Sequence, residues 1–284
     1  MLFLPSYLIG ADFFVAPPVL LPTHAAVGEF LEIHWPNRKN GSFLSASNTN
    51  ATWLNNQTAF VGISTQPYVT IVGRASYHHG GLIRSPREFF FKGIVKVGLP
   101  SLSKSWSLRL PANVRARLSN YSEADVDAEF ALLKKITTPV DGSFNFHQCW
   151  HPPLHHLRVT SRFASPRTPP GGQPYYHTGV DLHAPMRTPV LAAADGQVVY
   201  KGESPLTGNI IVLNHGGGIY SEYMHLSKFD VTVGTQVKRG ETIALSGATG
   251  RVEAPHLHWE LSWQGIPLNP IRFLQASAQT CDQE

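Results

Sequence analysis

Charge is scarce in this 284-residue chain: Asp, Glu, Lys and Arg make up 15% of it, where about 25% is usual. Low charge together with 42% hydrophobic and 11% aromatic residues excludes an intrinsically disordered polymer, which needs low hydrophobicity and high net charge. Cysteine is nearly absent. Cys149 and Cys281 are the only two and form no C-x-x-C pair, which excludes a dithiol redox motif and a cysteine-built zinc site. They are either free thiols or a bridge tying the C-terminal tail to residue 149, and a bridge implies an oxidising compartment. No run reaches the roughly 20 apolar residues that a membrane-spanning helix needs. The first ten residues, MLFLPSYLIG, are apolar but lack a basic start, so they read as the tail of a signal peptide or as a frayed terminus. No Lys- or Arg-rich run carries interleaved aromatics, which argues against nucleic acid as a partner. The formal net charge of +4 favours approach to an acidic polymer without choosing one.

What is abundant is punctuation. The 24 glycines and 22 prolines make about 16% of the chain against an average near 12%, which suits short strands and turns better than long helices. The expected fold class is mainly β. Residues 1–120 read as a β-rich, sandwich-like accessory domain. Its strand candidates are Phe30–Ile33, Thr58–Val61, Tyr68–Val72 and Phe89–Val97, and no spacing among His24, His34, His78 and His79 points to a shared ligand. A connecting helix is expected over 121–138. Ser122 and Asp125 form an S-x-x-D start, Val126, Phe130, Leu133 and Thr137 make an apolar stripe, and acids lie early with Lys134 and Lys135 late. Residues 139–276 return to short strands, the strongest being Gln197–Tyr200, Asn209–Leu213, Ile219–Leu226, Glu241–Leu245 and His256–Ser262. A tail of 277–284 follows. Gly216-Gly217-Gly218 has no strand–turn–helix around it, so a phosphate-binding loop is excluded on context.

Three pieces of this second half carry chemistry. In His177-Thr-Gly-Val-Asp181 a strand would place imidazole and carboxylate, four apart, on one face. In His256-Leu-His-Trp-Glu-Leu261 a period of two puts His256, His258 and Glu260 on one face and Leu257, Trp259 and Leu261 on the other. In Ile219–Leu226 the same period groups His225 with Ser221 and Tyr223. Histidine and aspartate are zinc ligands, and a catalytic zinc takes three protein ligands and leaves one position open. Each piece alone is weak, and their joint occurrence in one Gly-rich β region is the signal. No H-E-x-x-H is present, which excludes a glutamate base on a zinc-binding helix.

These pieces, with Ser161-Arg-Phe163, His177 to Pro185, Pro189 to Val199, Gly208 to Gly216, Tyr223-Met-His-Leu226, Val237 to Glu241, Gly247 to Gly250 and Pro255 to Glu260, resemble the LytM or lysostaphin-type zinc peptidases over about Phe144 to Phe273. The resemblance implies an antiparallel β domain with one zinc ion held by His177, Asp181 and His258, and His225 and His256 as non-ligand catalytic histidines. It implies an endopeptidase that cuts the peptide cross-links of bacterial peptidoglycan, working as a monomer in the periplasm or secreted. One of the two extra histidines would orient water, accept its proton or stabilise the oxyanion, and the sequence leaves that division open. The rival reading is a wall-binding regulator, inactive or blocked by its own N-terminal region. Glu260 reads as a support to the ligands or a surface carboxylate, His183 likewise, and His215 as a turn residue. His147, His151, His155 and His156 sit in a Pro-interrupted loop that disfavours a second metal. Tyr175, Tyr176 and Tyr200 either line the groove or pack.

Overall fold

The computed structural model describes residues 109–140, 149–168 and 174–281, and before them the backbone of nine strands. The ten apolar residues at the start and His147 of the histidine cluster lie outside the described residues. The chain divides into two compact units, Met1–Leu99 and Pro100–Glu284, where sequence had placed a boundary at 120.

In the first unit the strands are β1 (His24–Ala26), β2 (Phe30–His34), β3 (Phe43–Ala46), β4 (Thr49–Asn50), β5 (Thr52–Trp53), β6 (Thr58–Gly62), β7 (Tyr68–Tyr77) and β8 (Arg87–Gly98). They pair in the orders β1-β8-β7-β3-β4 and β2-β6-β5. The long β7–β8 ladder runs antiparallel from Tyr68 opposite Lys96 to Tyr77 opposite Arg87, through residues rich in the β-branched and aromatic types that favour pleated strands.

The second unit opens with β9 (Trp106–Ser107), α1 (Ala112–Leu118) and α2 (Glu123–Thr137). Helix α2 starts where the sequence predicts. Ser122 and Asp125 form a reciprocal capping box, with the Asp125 amide 3.2 Å from Ser122 Oγ and the Ser122 amide 2.7 Å from Asp125 Oδ2. Those bonds hold the Asp125 carboxyl below its ordinary pKa. The expected stripe is rotated. Glu129, Leu133 and Thr137 are buried, while Phe130 is 57% exposed. Leu133 packs with Ile210, Val212, Tyr220 and Met224, so α2 belongs to the second unit as a helix laid on its sheet.

The following strands are β10 (Val159–Ser161), β11 (Pro166–Thr168), β12 (Tyr175–Tyr176), β13 (Val180–Leu182), β14 (Pro189–Leu191), β15 (Gly196–Ser204), β16 (Gly208–Asn214), β17 (Ile219–Phe229), β18 (Gln236–Val237), β19 (Thr242–Ser246), β20 (Leu257–Trp263) and β21 (Ile266–Leu268). Ten of them form an antiparallel sheet whose main path is β10-β13-β20-β17-β16-β15-β18, with β19 joining β17 to β14 and β21 flanking β20. A small sheet of β12-β11-β9 lies beside it. Both faces of β20 are buried, and Trp259, Trp263, Tyr220 and Tyr223 are among the largest fully buried side chains. Each such side chain stabilises the fold by about 1.5–3 kcal/mol, which makes β17 and β20 a rigid floor.

Helix α3 (Pro270–Cys281) closes the described chain and crosses the 276/277 boundary drawn from sequence. Phe273 of α3 meets Trp150 edge-on at 4.9 Å, and Trp150 packs on His215 at 4.7 Å. Cys149 is disulfide-bonded, and the sequence holds one other cysteine.

Candidate metal centre

The registers of β13, β20 and β17 place the central groups. Asp181 lies opposite His258, and Met224 faces His258 from the other side. His177 is not in a strand with Asp181, contrary to the sequence expectation. It precedes β13 and reaches the site through a bend at Thr178 and Gly179. The bend runs so close to β20 that a Cβ on Gly179 would lie 2.5 Å from the Trp259 carbonyl oxygen. Glycine is what permits that approach.

Three donor atoms converge. His177 Nε2 is 2.9 Å from His258 Nδ1 and 3.2 Å from Asp181 Oδ1, and His258 Nδ1 is 3.0 Å from the same oxygen. Ligands at zinc bond lengths in a tetrahedral site stand about 3.3 Å apart, so the donor set fits one such ion. The outer nitrogens agree. His177 Nδ1 is 3.0 Å from the Arg162 carbonyl oxygen, and His258 Nε2 is 3.4 Å from Glu260 Oε2. Carbonyl and carboxylate only accept, so each outer nitrogen donates to its acceptor and the inner nitrogen of each ring is the one turned to the site, where a bound metal would take the place of its proton. Arg167 Nη2 holds the other Asp181 oxygen, Oδ2, at 2.5 Å and also meets Ser161 Oγ at 2.8 Å. Asp181 is thereby left one oxygen to offer. His177, Asp181 and His258 could hold one metal ion.

Electrostatics point the same way. Burial opposes a charge on Asp181, yet hydrogen bonds from His177, His256 and His258 outweigh it and hold the carboxyl well below its ordinary pKa. Burial also opposes a proton on His258, and the Asp181 and Glu260 carboxylates overcome it, raising the pKa to about 9. That surplus negative potential suits a cation. Burial lowers the pKa of His177. Behind the ligands Glu222 lies opposite Glu260, and burial followed by the Glu260 charge pushes its carboxyl well up.

His225 corrects a second expectation. The period of two would group it with Ser221 and Tyr223, but those hydroxyls point elsewhere. Ser221 Oγ meets His215 Nε2 at 2.7 Å and Tyr223 OH at 3.0 Å, and Tyr223 OH accepts from the Ala193 amide. His225 sits at a register shift in β17 with φ of +64°, and this left-handed residue turns the imidazole to the face of Glu222 and Met224. Its Nδ1 donates to the Thr249 carbonyl at 2.9 Å. Burial, then the neighbouring His256 and His258, hold its pKa well below the ordinary value, so the ring is neutral. The His256 ring lies 4.8 Å from that of His225. Its Nδ1 donates to Ala254 O at 2.8 Å, and its Nε2 is 3.5 Å from Asp181 Oδ1. At 20% side-chain exposure against 2% for His177 and 9% for His258, His256 is the ring nearest solvent.

All five residues line one cleft of about 1040 Å³, walled on one side by Phe130 and Lys134 of α2. Tyr175 and His183 line it too, while Tyr200 packs against the cluster around Leu133. His215 stands just after β16 at the turn into β17, its amide donating to Ile219 O, and its buried ring meets Asp195 O and Ser221 Oγ.

The match to known sequences covers this site. Residues 175–270 match Peptidase family M23, and all three donors and both further histidines fall within that span. This stretch of the chain is an M23 peptidase domain. The M23 domain is similar to the peptidoglycan DD-endopeptidase ShyA of Vibrio cholerae, at 40% identity over 134 residues, 47% of this chain and 28% of that protein. It is similar also to the DD-carboxypeptidase/endopeptidase Mpg of Neisseria meningitidis, at 39% over 130 residues, 46% of this chain and 29% of that protein. The matched stretch spans under a third of the length of these relatives. A solved structure from Pseudomonas aeruginosa, described as a candidate M23 peptidase, shares the fold with a TM-score of 0.56 at 21% identity, covering 88% of this chain and 94% of that one.

Arg167 and Glu129 escaped the sequence reading. Arg167 lies six residues past Ser161, inside the segment that carries the family resemblance. Glu129 stands on the buried stripe of α2, where an acid is out of place.

Proposed function

We propose that this chain is a zinc-dependent endopeptidase that hydrolyses peptide cross-links of bacterial peptidoglycan. The observation that carries the reading is the donor triangle of His177 Nε2, Asp181 Oδ1 and His258 Nδ1, each side 2.9–3.2 Å, with both outer imidazole nitrogens spent on acceptors. The names of the relatives supply the substrate class. When bound there, zinc supplies Lewis-acid polarisation of the scissile carbonyl and an acidified water.

The chain's own residues do the rest. Arg167 fixes Asp181 by Oδ2, and Glu260 fixes His258 by Nε2. His225, neutral and pinned by its Nδ1–H, has Nε2 free to accept a proton from the attacking water. His256, beside Asp181 and nearest solvent, hands a proton to the leaving amine. The cleft between α2 and the sheet admits an extended peptide stem.

The same reading places the chain outside the cytoplasm as a monomer, with an accessory β-rich region ahead of the peptidase region of about 139–276. We read its two sheets as the layers of a sandwich. The rival is a regulator that binds wall without cutting it. The deciding experiment incubates purified sacculi with the zinc-loaded chain and resolves the muropeptides by mass spectrometry. Loss of cross-linked dimers with the wild type and not with His258→Ala is the expected result. Unchanged dimers with both would make the regulator the better reading.

A further inference from the structure

His225 occupies a backbone conformation that costs a non-glycine residue about 1–3 kcal/mol and persists only where its surroundings impose it. Two loops impose it. Its amide donates to the Thr207 carbonyl at 2.9 Å, and its Nδ1 donates to the Thr249 carbonyl at 2.9 Å. The loops are locked together. The Asn209 amide donates to Thr249 Oγ1 and the Arg251 amide to Leu206 O, and a Cβ on Gly208 would strike the backbone at Thr249 at 2.4 Å.

What holds this pair of loops from outside is Glu129. Its carboxylate is buried at 4% exposure and accepts the Leu206 amide on Oε2 and the Thr207 amide on Oε1, both at 2.9 Å. Helix α2 already has Leu133 to anchor it to the sheet. An apolar residue at 129 would keep the packing but strip two buried amides of their acceptor, at about 1–3 kcal/mol each. The carboxylate does what a hydrocarbon cannot: it fixes the orientation of two successive peptide units, 205–206 and 206–207. The second carries the Leu206 carbonyl that accepts the Arg251 amide, and so it sets the entry to the next unit, whose Thr207 carbonyl accepts the His225 amide.

We propose that Glu129 is a positioning residue for His225, so that helix α2, which lies outside the stretch matching the peptidase family, completes the active site through the loop at 206–207. The proposal rests on the catalytic role given to His225 above. It also implies that the cleft wall and the proton acceptor move as one body.

The test uses the full chain with Glu129→Gln, which keeps one acceptor oxygen, and Glu129→Leu, which keeps none. On a cross-linked muropeptide dimer, kcat is expected to fall about 10-fold for Gln and about 100-fold for Leu, as a displacement of up to about 1 Å entails. KM and zinc affinity should stay within about twofold, because no ligand is touched. In imidazole 15N spectra of the zinc-loaded protein, the His225 signals should shift or broaden while those of His177 and His258 hold. An unchanged kcat in a folded Leu variant overturns the proposal. So does a parallel loss of zinc affinity, which would mark Glu129 as merely structural. Where the Leu variant does not fold, the Gln variant decides by the same readings. Should the wild type cut nothing, the functional reading fails, and the His225 signals alone judge the positioning: movement sustains it and constancy refutes it.

Discussion

Replacing Gly179 by alanine sets a methyl carbon where β13 and β20 leave no room. The new Cβ would stand 2.5 Å from the Trp259 carbonyl oxygen, 2.8 Å from His258 Nε2 and 3.0 Å from His258 Cε1. Ordinary contact begins at about 3.4 Å, so the bend and β20 must part by about 0.5–0.9 Å, or the His258 ring must swing away from Glu260. Either response moves a metal donor. Overpacking of this kind costs about 1–3 kcal/mol of stability, or a fall in melting temperature of about 2–10 °C for a unit of this size. Loss of the support at His258 costs about 10- to 100-fold in metal affinity. Chelator competition reads the affinity and a thermal melt reads the stability. Gly234→Ala is the control. Its φ of +92° strains any side chain, but nothing lies within 4 Å, so it should lower the melt by a comparable amount and leave zinc affinity alone. Equal zinc affinity in Gly179→Ala and the wild type would refute the steric argument, as would a parallel loss in Gly234→Ala.

Arg167→Ala frees Asp181 Oδ2 from its guanidinium, and zinc affinity by the same competition should fall about 10- to 100-fold, with Arg167→Lys intermediate because one ammonium cannot reproduce the planar fork. His215 is buried, and burial holds its pKa down at about 4. A folded pKa below the unfolded value of about 6.5 means that unfolding takes up a proton in that window, so this contribution is whole above pH 6.5 and lost as pH falls toward 4. Urea midpoints at pH 7 and pH 4.5 should show His215→Gln losing about 2–3 kcal/mol less than the wild type over that interval; equal losses would remove His215 as the cause.

The alternation of β20 was plain in the sequence because both of its faces are regular, and it put His258 and Glu260 where they stand. The helix start at Ser122 was plain too, since a capping box is local. What stayed hidden is non-local or irregular. His177 and Asp181 meet, but through a bend whose tightness depends on the backbone of β20. The period of two fails at His225 because a register shift and a left-handed residue invert the faces beyond Met224, and nothing within Ile219–Leu226 announces that. Glu129 read as a charge suited to the start of a helix, because its partners at Leu206 and Thr207 lie 77 and 78 residues away. Helix α3 was missed where a tail was expected. Its Phe273 meets Trp150, more than a hundred residues away in sequence, a contact that local pattern does not encode.

The central claim is that three named atoms form one metal site. Metal content of the dialysed full chain, measured by inductively coupled plasma mass spectrometry beside His177→Ala, Asp181→Ala and His258→Ala, tests it most directly. The account predicts one zinc per wild-type chain and close to none in each variant, with all four folded by circular dichroism. A wild type that retains no zinc, or variants that retain it in full, would contradict the account.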